Sequence, residues 1–230
     1  MAKTAILVDG GFYRRKFEKG GKHTPEEASS ALMRYCYRHL TEHHMEHELY
    51  RIFYYDCRPC GKKIFHPLYN RTIDFSKSDH YKWMTQFLKE LTKKRKVALR
   101  IGELDECSAS YVLTSVATKD IVTGKREVKN LVDDDFTTSI KQKGVDMKIG
   151  MDIASLAYKK QVDQIVLIAG DADFVPAAKL ARREGVDFVL DPLGHTIKDD
   201  LFEHIDGKRS CGDPYGAKKV ELKKEPAIPK

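Results

Sequence analysis

The chain has 230 residues, 41 of them Lys or Arg against 34 Asp or Glu, for a formal net charge of +7. That length allows one sizeable α/β domain or two small ones, and one is the simpler reading. No window is apolar over the eighteen or so residues a membrane helix needs, which excludes a helical membrane protein, and the basic balance suits a phosphate-bearing partner as readily as an ordinary lysine-rich surface.

Met-Ala-Lys-Thr leads directly into the apolar run Thr4 to Val8, closed by Asp9. No apolar leader of the secretory kind intervenes, so a cytoplasmic location is expected. Gly10-Gly11 turn the backbone into a segment carrying Arg14, Arg15, Lys16 and Lys19. Thr24 before Pro25-Glu26-Glu27 signals a helix start, and the helix is expected to run to about His47. Tyr50 to Tyr55, rich in aromatics and ending at Asp56, reads as a second strand. Arg58 to Lys77 is basic and irregular in pattern. Ser78-Asp79 opens a helix through Lys94, with Trp83, Phe87, Leu88 and Leu91 spaced for one buried face. Val97 to Gly102 is a third strand, and Tyr111 to Thr118 with Glu127 to Val132 around Thr123-Gly124 reads as an inserted β-hairpin.

The rhythm then resumes with a helix over Asp146 to Lys160, a strand over Gln164 to Ala169 and a helix over Phe174 to Glu184. A strand over Val186 to Leu190 and a helix over Ile197 to Ile205 follow. Strands alternating with helices predict a mostly parallel sheet with right-handed crossovers. Residues 1–207 are expected to form one domain with elaborations at about 57–80 and 103–135. From Lys208 the composition shifts to Lys, Glu, Pro and Gly, which predicts a basic, disordered tail over 208–230.

Five cysteines, Cys36, Cys57, Cys60, Cys107 and Cys211, lack the spacing of a disulfide scaffold and are read as reduced thiols. Cys57-Arg58-Pro59-Cys60 is a lone CxxC, and a zinc site would need His66 and Cys107 to complete it. His39, His43, His44 and His47 have no acidic motif beside them and are read as surface residues. Asp133-Asp134-Asp135 is read as a polar turn, and Asp56 and Asp191 end strands as Asp9 does.

The chemistry is carried by the strand tips. A continuous Ile-Val-Leu-Ile run bounded by Gly170 has the pattern of a strand buried on both faces of a parallel sheet, and ligands of open α/β sheets sit at the carboxyl ends of such strands. Asp171 and Asp173 flank one small residue there, and Asp9 ends another strand in the same way. Asp146 stands near a helix start, where it either caps the helix or joins the site. Asp152 lies six residues on, rotated by roughly 120° and displaced by about 9 Å along an α-helix, so it reaches the same pocket only from the second turn. Clustered carboxylates repel unless a cation neutralises them. Oxygen ligands favour Mg²⁺ or Mn²⁺ over zinc, and such an ion can support hydrolysis of a phosphodiester.

Val8-Asp9-Gly10-Gly11, Lys143-Gly144-Val145-Asp146 with Asp152, and Ala169-Gly170-Asp171-Ala172-Asp173-Phe174-Val175-Pro176 together resemble the NYN domain, LabA-like branch, of the PIN-like nuclease superfamily. The likeness covers about residues 3–206. It implies a PIN-like three-layer α/β sandwich around a mostly parallel sheet, and a Mg²⁺- or Mn²⁺-dependent endoribonuclease with Asp9, Asp146, Asp171 and Asp173 as catalytic and metal-holding residues. Asp152 also matches an acidic position of the family. One departure is that many relatives place Asn soon after the first Asp, whereas Phe12-Tyr13 follow Gly10-Gly11 here.

RNA is the expected partner. Arg14, Arg15, Lys143 and Lys148 are candidates for phosphate contacts, and Phe12 and Tyr13 for stacking on unpaired bases. A homodimer is compatible with the sequence. The competing reading from another class is an RNA-binding or regulatory module that keeps the pocket and does not hydrolyse. Phosphotransfer on a small molecule is disfavoured, because neither an initial Asp-x-Asp nor a GxxxxGK[ST] loop is present.

Overall fold

A computed structural model of the chain describes residues 1–18, 23–42 and 45–216. Strand β1 (Lys3–Asp9) runs into helix α1 (Gly10–Phe17), and α2 (Pro25–Arg38) opens on a capping box in which the side chains of Thr24 and Glu27 each bond the other's backbone amide. A two-residue pair, β2 (Thr41–Glu42) and β3 (Met45–Glu46), precedes β4 (Glu48–Cys57). Then come the hairpin of β5 (Lys63–His66) and β6 (Arg71–Asp74), helix α3 (Asp79–Thr92) and the long strand β7 (Val97–Leu113). Helix α4 (Ser115–Val122) and strand β8 (Phe136–Lys143) lead to α5 (Val145–Tyr158), β9 (Gln164–Ile168), α6 (Val175–Arg183) and β10 (Asp187–Asp191). Short α7 (Asp199–Glu203) and β11 (Gly207–Lys208) complete the series.

The main sheet has seven strands in the order β11-β10-β9-β1-β4-β7-β8, all neighbours parallel except β7 and β8. Alternate residues of its strands point to opposite faces, and both faces are covered. Ala5, Leu7, Phe53, Tyr55, Ile165 and Leu167 pack under α5, α6 and α7. Ile6, Val8, Ile52, Tyr54, Val166 and Ile168 pack under α1, α2 and α3. The result is the expected three-layer arrangement, with runs such as Gln-Ile-Val-Leu-Ile buried throughout because neither side of the sheet meets water.

Several expectations are corrected. Helix α2 ends at Arg38 rather than near His47, because its final carbonyls are taken by Arg209, whose guanidinium bonds the carbonyl oxygens of Arg38 and His39 and also that of Thr41. His39 is not a surface residue: it is fully buried with its Nε2 2.9 Å from Asp191. His43 and His44 lie outside the described residues. The segment 58–77 contains the β5–β6 hairpin instead of being irregular.

The inserted hairpin exists, but its strands are β7 and β8. After pairing with β4 through Gly102, β7 runs past the edge of the sheet and β8 returns antiparallel to it. The strand expected over Tyr111 to Thr118 ends at Leu113, and residues 115–122 are helical, capped by the Thr114 hydroxyl, which accepts from the Ala117 amide. The chain also stays folded beyond 207. Lys208 pairs with β10, and Arg38 donates to the carbonyls of Cys211 and Asp213. The disordered tail expected from 208 is thereby corrected for 208–216, and 217–230 lie outside the described residues.

Candidate active site at the carboxyl edge of the sheet

The chain builds outward from β1 through β4 to β7, and then returns to the other side of β1 to lay down β9 and β10. The direction of winding reverses between β1 and β9, the place where open α/β sheets form a crevice at the carboxyl ends of their strands. Val8 of β1 is paired with Ile168 of β9, so Asp9 and Ala169-Gly170-Asp171 leave the sheet side by side. Each loop is fixed locally. Asp9 caps α1 by accepting the Phe12 amide at 3.0 Å, and Asp171 Oδ1 accepts the Asp173 amide at 3.1 Å. Gly170 is required by its neighbour: a Cβ there would lie 2.5 Å from the Phe12 ring. Phe12 of the first loop therefore lies against the second.

Asp146 arrives from the opposite side of the sheet. Strand β8 returns to the carboxyl edge with Lys143 opposite Glu103, Gly144 turns at φ 78°, and α5 begins at Val145. Asp146 and Asp173 line one groove of about 400 Å³ between α5 and α6. The electrostatics couples the set. Burial raises the Asp9 carboxyl above its ordinary value; the Phe12 amide and Arg15 oppose the rise, and the carboxylates of Asp146 and Asp56 add to it. Partial burial raises Asp146 too, followed by the charges of Asp171 and Asp173. Among the described residues no Lys, Arg or His forms an ion pair with Asp146, Asp171 or Asp173.

Among the described residues no group of three or more His, Cys, Asp or Glu side chains is gathered closely enough to hold a metal ion. A closed zinc-type cage is therefore absent there, and Cys57, Cys60, His66 and Cys107 do not form one. An all-carboxylate edge with unneutralised charge fits a hard cation such as Mg²⁺, which keeps several waters and takes only one or two protein carboxylates directly. The residues that fit this donor chemistry are Asp9, Asp146, Asp171 and Asp173.

The other predicted residues have different positions. Asp152 bonds Arg100 at 2.7 Å and accepts the Tyr55 hydroxyl at 2.8 Å, so it braces α5 against β4 and β7 rather than joining the acids. Tyr13 is fully buried with its ring 5.0 Å from Phe17 and 5.9 Å from Tyr35, which makes it core and not a base-stacking platform. Phe12 is spent on Gly170 and on His195, 5.7 Å away between ring centroids. Arg14 is forked onto buried Asp56 by two bonds of 3.0 Å, a pair that sequence reading missed because the partners are 42 residues apart. Lys143 pairs with Asp105 at 2.9 Å on the surface, and Lys148 is half-buried. Arg15 is exposed and close enough to Asp9 to lower its carboxyl, and Lys19 lies outside the described residues.

The family model described as NYN domain matches residues 73–198, a stretch that includes Asp146, Asp171 and Asp173 and begins after Asp9. No curated protein matches the chain. Among solved structures, a Vibrio parahaemolyticus protein of unknown function is 13% identical, with a TM-score of 0.45 over 93% of this chain and 94% of the other. Among the described residues no helix is long and apolar enough to cross a membrane.

Proposed function

Because the chain belongs to the NYN domain family, part of the PIN-like nuclease superfamily, we propose that it is a metal-dependent endoribonuclease of the LabA-like branch, acting on RNA in the cytoplasm. The observation that carries this reading is the meeting of acids from three distant parts of the chain at one sheet edge. Asp9 from the end of β1, Asp146 from the start of α5 and Asp171 with Asp173 after β9 influence one another electrostatically, and among the described residues no cationic side chain pairs with the last three.

In this proposal those four aspartates hold Mg²⁺ or Mn²⁺ and are the catalytic residues. When bound, the ion offsets phosphate charge and lowers the pKa of water. The protein's own part is positional. The Phe12 amide fixes the Asp9 carboxylate, the Asp173 amide fixes that of Asp171, and the α5 N-terminus holds Asp146 at the rim. Exposed Arg15 stands beside Asp9, where a phosphate approaching the acids gains a compensating charge.

The test is cleavage of labelled single-stranded RNA with Mg²⁺ or Mn²⁺ by the wild type and by Asp171→Asn. The substitution keeps the turn's side-chain acceptor and removes the charge, so cleavage is expected to fall by on the order of a hundredfold or more. Equal rates would remove the aspartate assignment. RNA retention by the wild type without turnover under any divalent ion would make the pocket a binding module instead.

A further inference from the structure

One strand over from Asp9, a cavity of about 190 Å³ opens between the end of β4, the start of α3 and the β7–β8 arm. Its wall includes Arg14, Arg58, Ser78, His80, Thr138 and Gln142, and none of these is used by the acid edge. We propose that this cavity is a phosphate-binding subsite, taking a backbone or terminal phosphate of the RNA strand whose neighbouring phosphodiester lies at the aspartates. The identity of the polymer rests on the nuclease reading; the anion chemistry does not.

Three observations support a bound anion. First, the one carboxylate in the wall, Asp56, is already saturated: it accepts from Arg14 twice, from the Tyr54 hydroxyl at 3.0 Å and from the Cys57 amide at 2.8 Å. A guanidinium has five N–H donors, so the fork onto Asp56 uses only part of what Arg14 offers. Second, at His80 the charge of Arg14 outweighs that of Asp56. The proton affinity of His80 is lowered first by burial and then by the Arg14 charge, and the opposing effect of Asp56 ranks below both. Third, the 14-residue helix α3, capped by Ser78, begins at the cavity, and His80 is in its first turn. Helix N-termini favour anions through their amides and dipole. Arg58 completes the set: it is exposed, and no carboxylate among the described residues pairs with it. Gly10 links this cavity to the acid edge, since it directly follows Asp9 and is packed so closely that a Cβ would lie 2.5 Å from Asp56 and Tyr54.

The experiment measures binding of fluorescein-labelled single-stranded RNA by anisotropy in EDTA, over a series of monovalent salt concentrations. It compares wild type, Arg58→Ala, Arg58→Glu and Thr138→Phe, the last filling the cavity from an exposed position of β8 that suits an aromatic residue. Arg58→Ala is expected to weaken binding about three- to tenfold and to reduce the slope of log affinity against log salt by about 0.7, one phosphate's share on a single strand. Arg58→Glu should weaken it further, and inorganic phosphate should compete on the wild type but not on the variants. Tighter binding of a phosphate-ended than a hydroxyl-ended oligonucleotide assigns the cavity to a terminal phosphate, and equal binding assigns it to the backbone.

Unchanged affinity and slope in both Arg58→Glu and Thr138→Phe would overturn the proposal. The nuclease reading fails separately. Wild-type protein that does not cleave RNA, yet binds phosphate through Arg58, loses the nuclease assignment and keeps the subsite. Protein that cleaves RNA with all cavity variants behaving as wild type keeps the nuclease and loses the subsite.

Discussion

Asp9 performs two tasks that pull in opposite directions. Its side chain caps α1, which is stabilising, while its charge is partly buried beside Asp146 and Asp56, which is not. Since the folded protein raises its carboxyl above its ordinary value, protonation favours the folded state. The stability contributed by the protonated group is present near pH 4 and is lost as pH rises through the elevated value. At neutral pH the ionised form is therefore a net cost. Asp9→Asn keeps a capping oxygen and removes the charge, so its unfolding midpoint at pH 7 is expected to rise by about 1–3 °C, with RNA cleavage lost. The gain should shrink as the pH is brought down towards 4. Asp9→Ala also loses the cap, at about 1 kcal/mol, and should melt no higher than the wild type. Thermal scans of the three proteins at pH 7 and pH 4.5 check this, and a midpoint for Asp9→Asn below wild type at pH 7 would mean that its charge has a partner.

Among elements, the junction of α2, β10 and the segment after β11 is held by one buried carboxylate. Asp191, fully buried at the end of β10, accepts from the Tyr35 hydroxyl and lies 2.9 Å from His39 Nε2, both on or at the end of α2. It also accepts from the Leu193 amide and the Ser210 hydroxyl. Burial and the Asp191 charge push the Tyr35 phenol well up, so it stays a hydrogen-bond donor at any working pH. Asp191→Ala would orphan these donors in a dry interior. It is expected to cost about 2–4 kcal/mol and to lower the midpoint by roughly 5–15 °C. Urea denaturation compares it with Asp191→Asn, which retains an acceptor and should lose less. Equal losses for the two would show that the charge, not the lone pairs, holds the junction.

For the molecule as a whole, the position of β1 and β4 decides what can fold. The stretch matched by the family model, 73–198, contains β7, β8, β9 and β10 but neither β1 nor β4, which stand between β9 and β7 in the sheet. Without them β7 and β9 have no partners on their inner edges, and both hydrophobic layers lose their centre, including Ile6, Leu7, Val8 and Ile52 to Tyr55. Residues 73–198 produced alone should therefore give no cooperative thermal transition and no dispersed amide spectrum, whereas the full chain should give both. A folded 73–198 fragment would require β7 and β9 to pair directly, contrary to the strand order.

The acid motifs, the strand–helix alternation and the buried runs of β1 and β9 were legible in the sequence because they are local: a strand buried on both faces must be apolar throughout, and a turn after it must carry Gly and polar residues. The same locality let Thr24 and Ser78 announce helix starts. What failed to read were features set by distant partners. Arg209 ends α2 from 171 residues away, Asp56 takes Arg14 out of the basic stripe, and Arg100 draws Asp152 away from the other acids. The helical state of 115–122 was hidden for a related reason, since its β-branched residues favour a strand until the Thr114 cap and the β7–β8 crossover hold it otherwise. The sequence by itself determined which residue types end each strand and so which chemistry is possible. Only the tertiary structure decided which charges were left unpaired at the sheet edge, because pairing depends on where long side chains from remote strands and helices arrive in space.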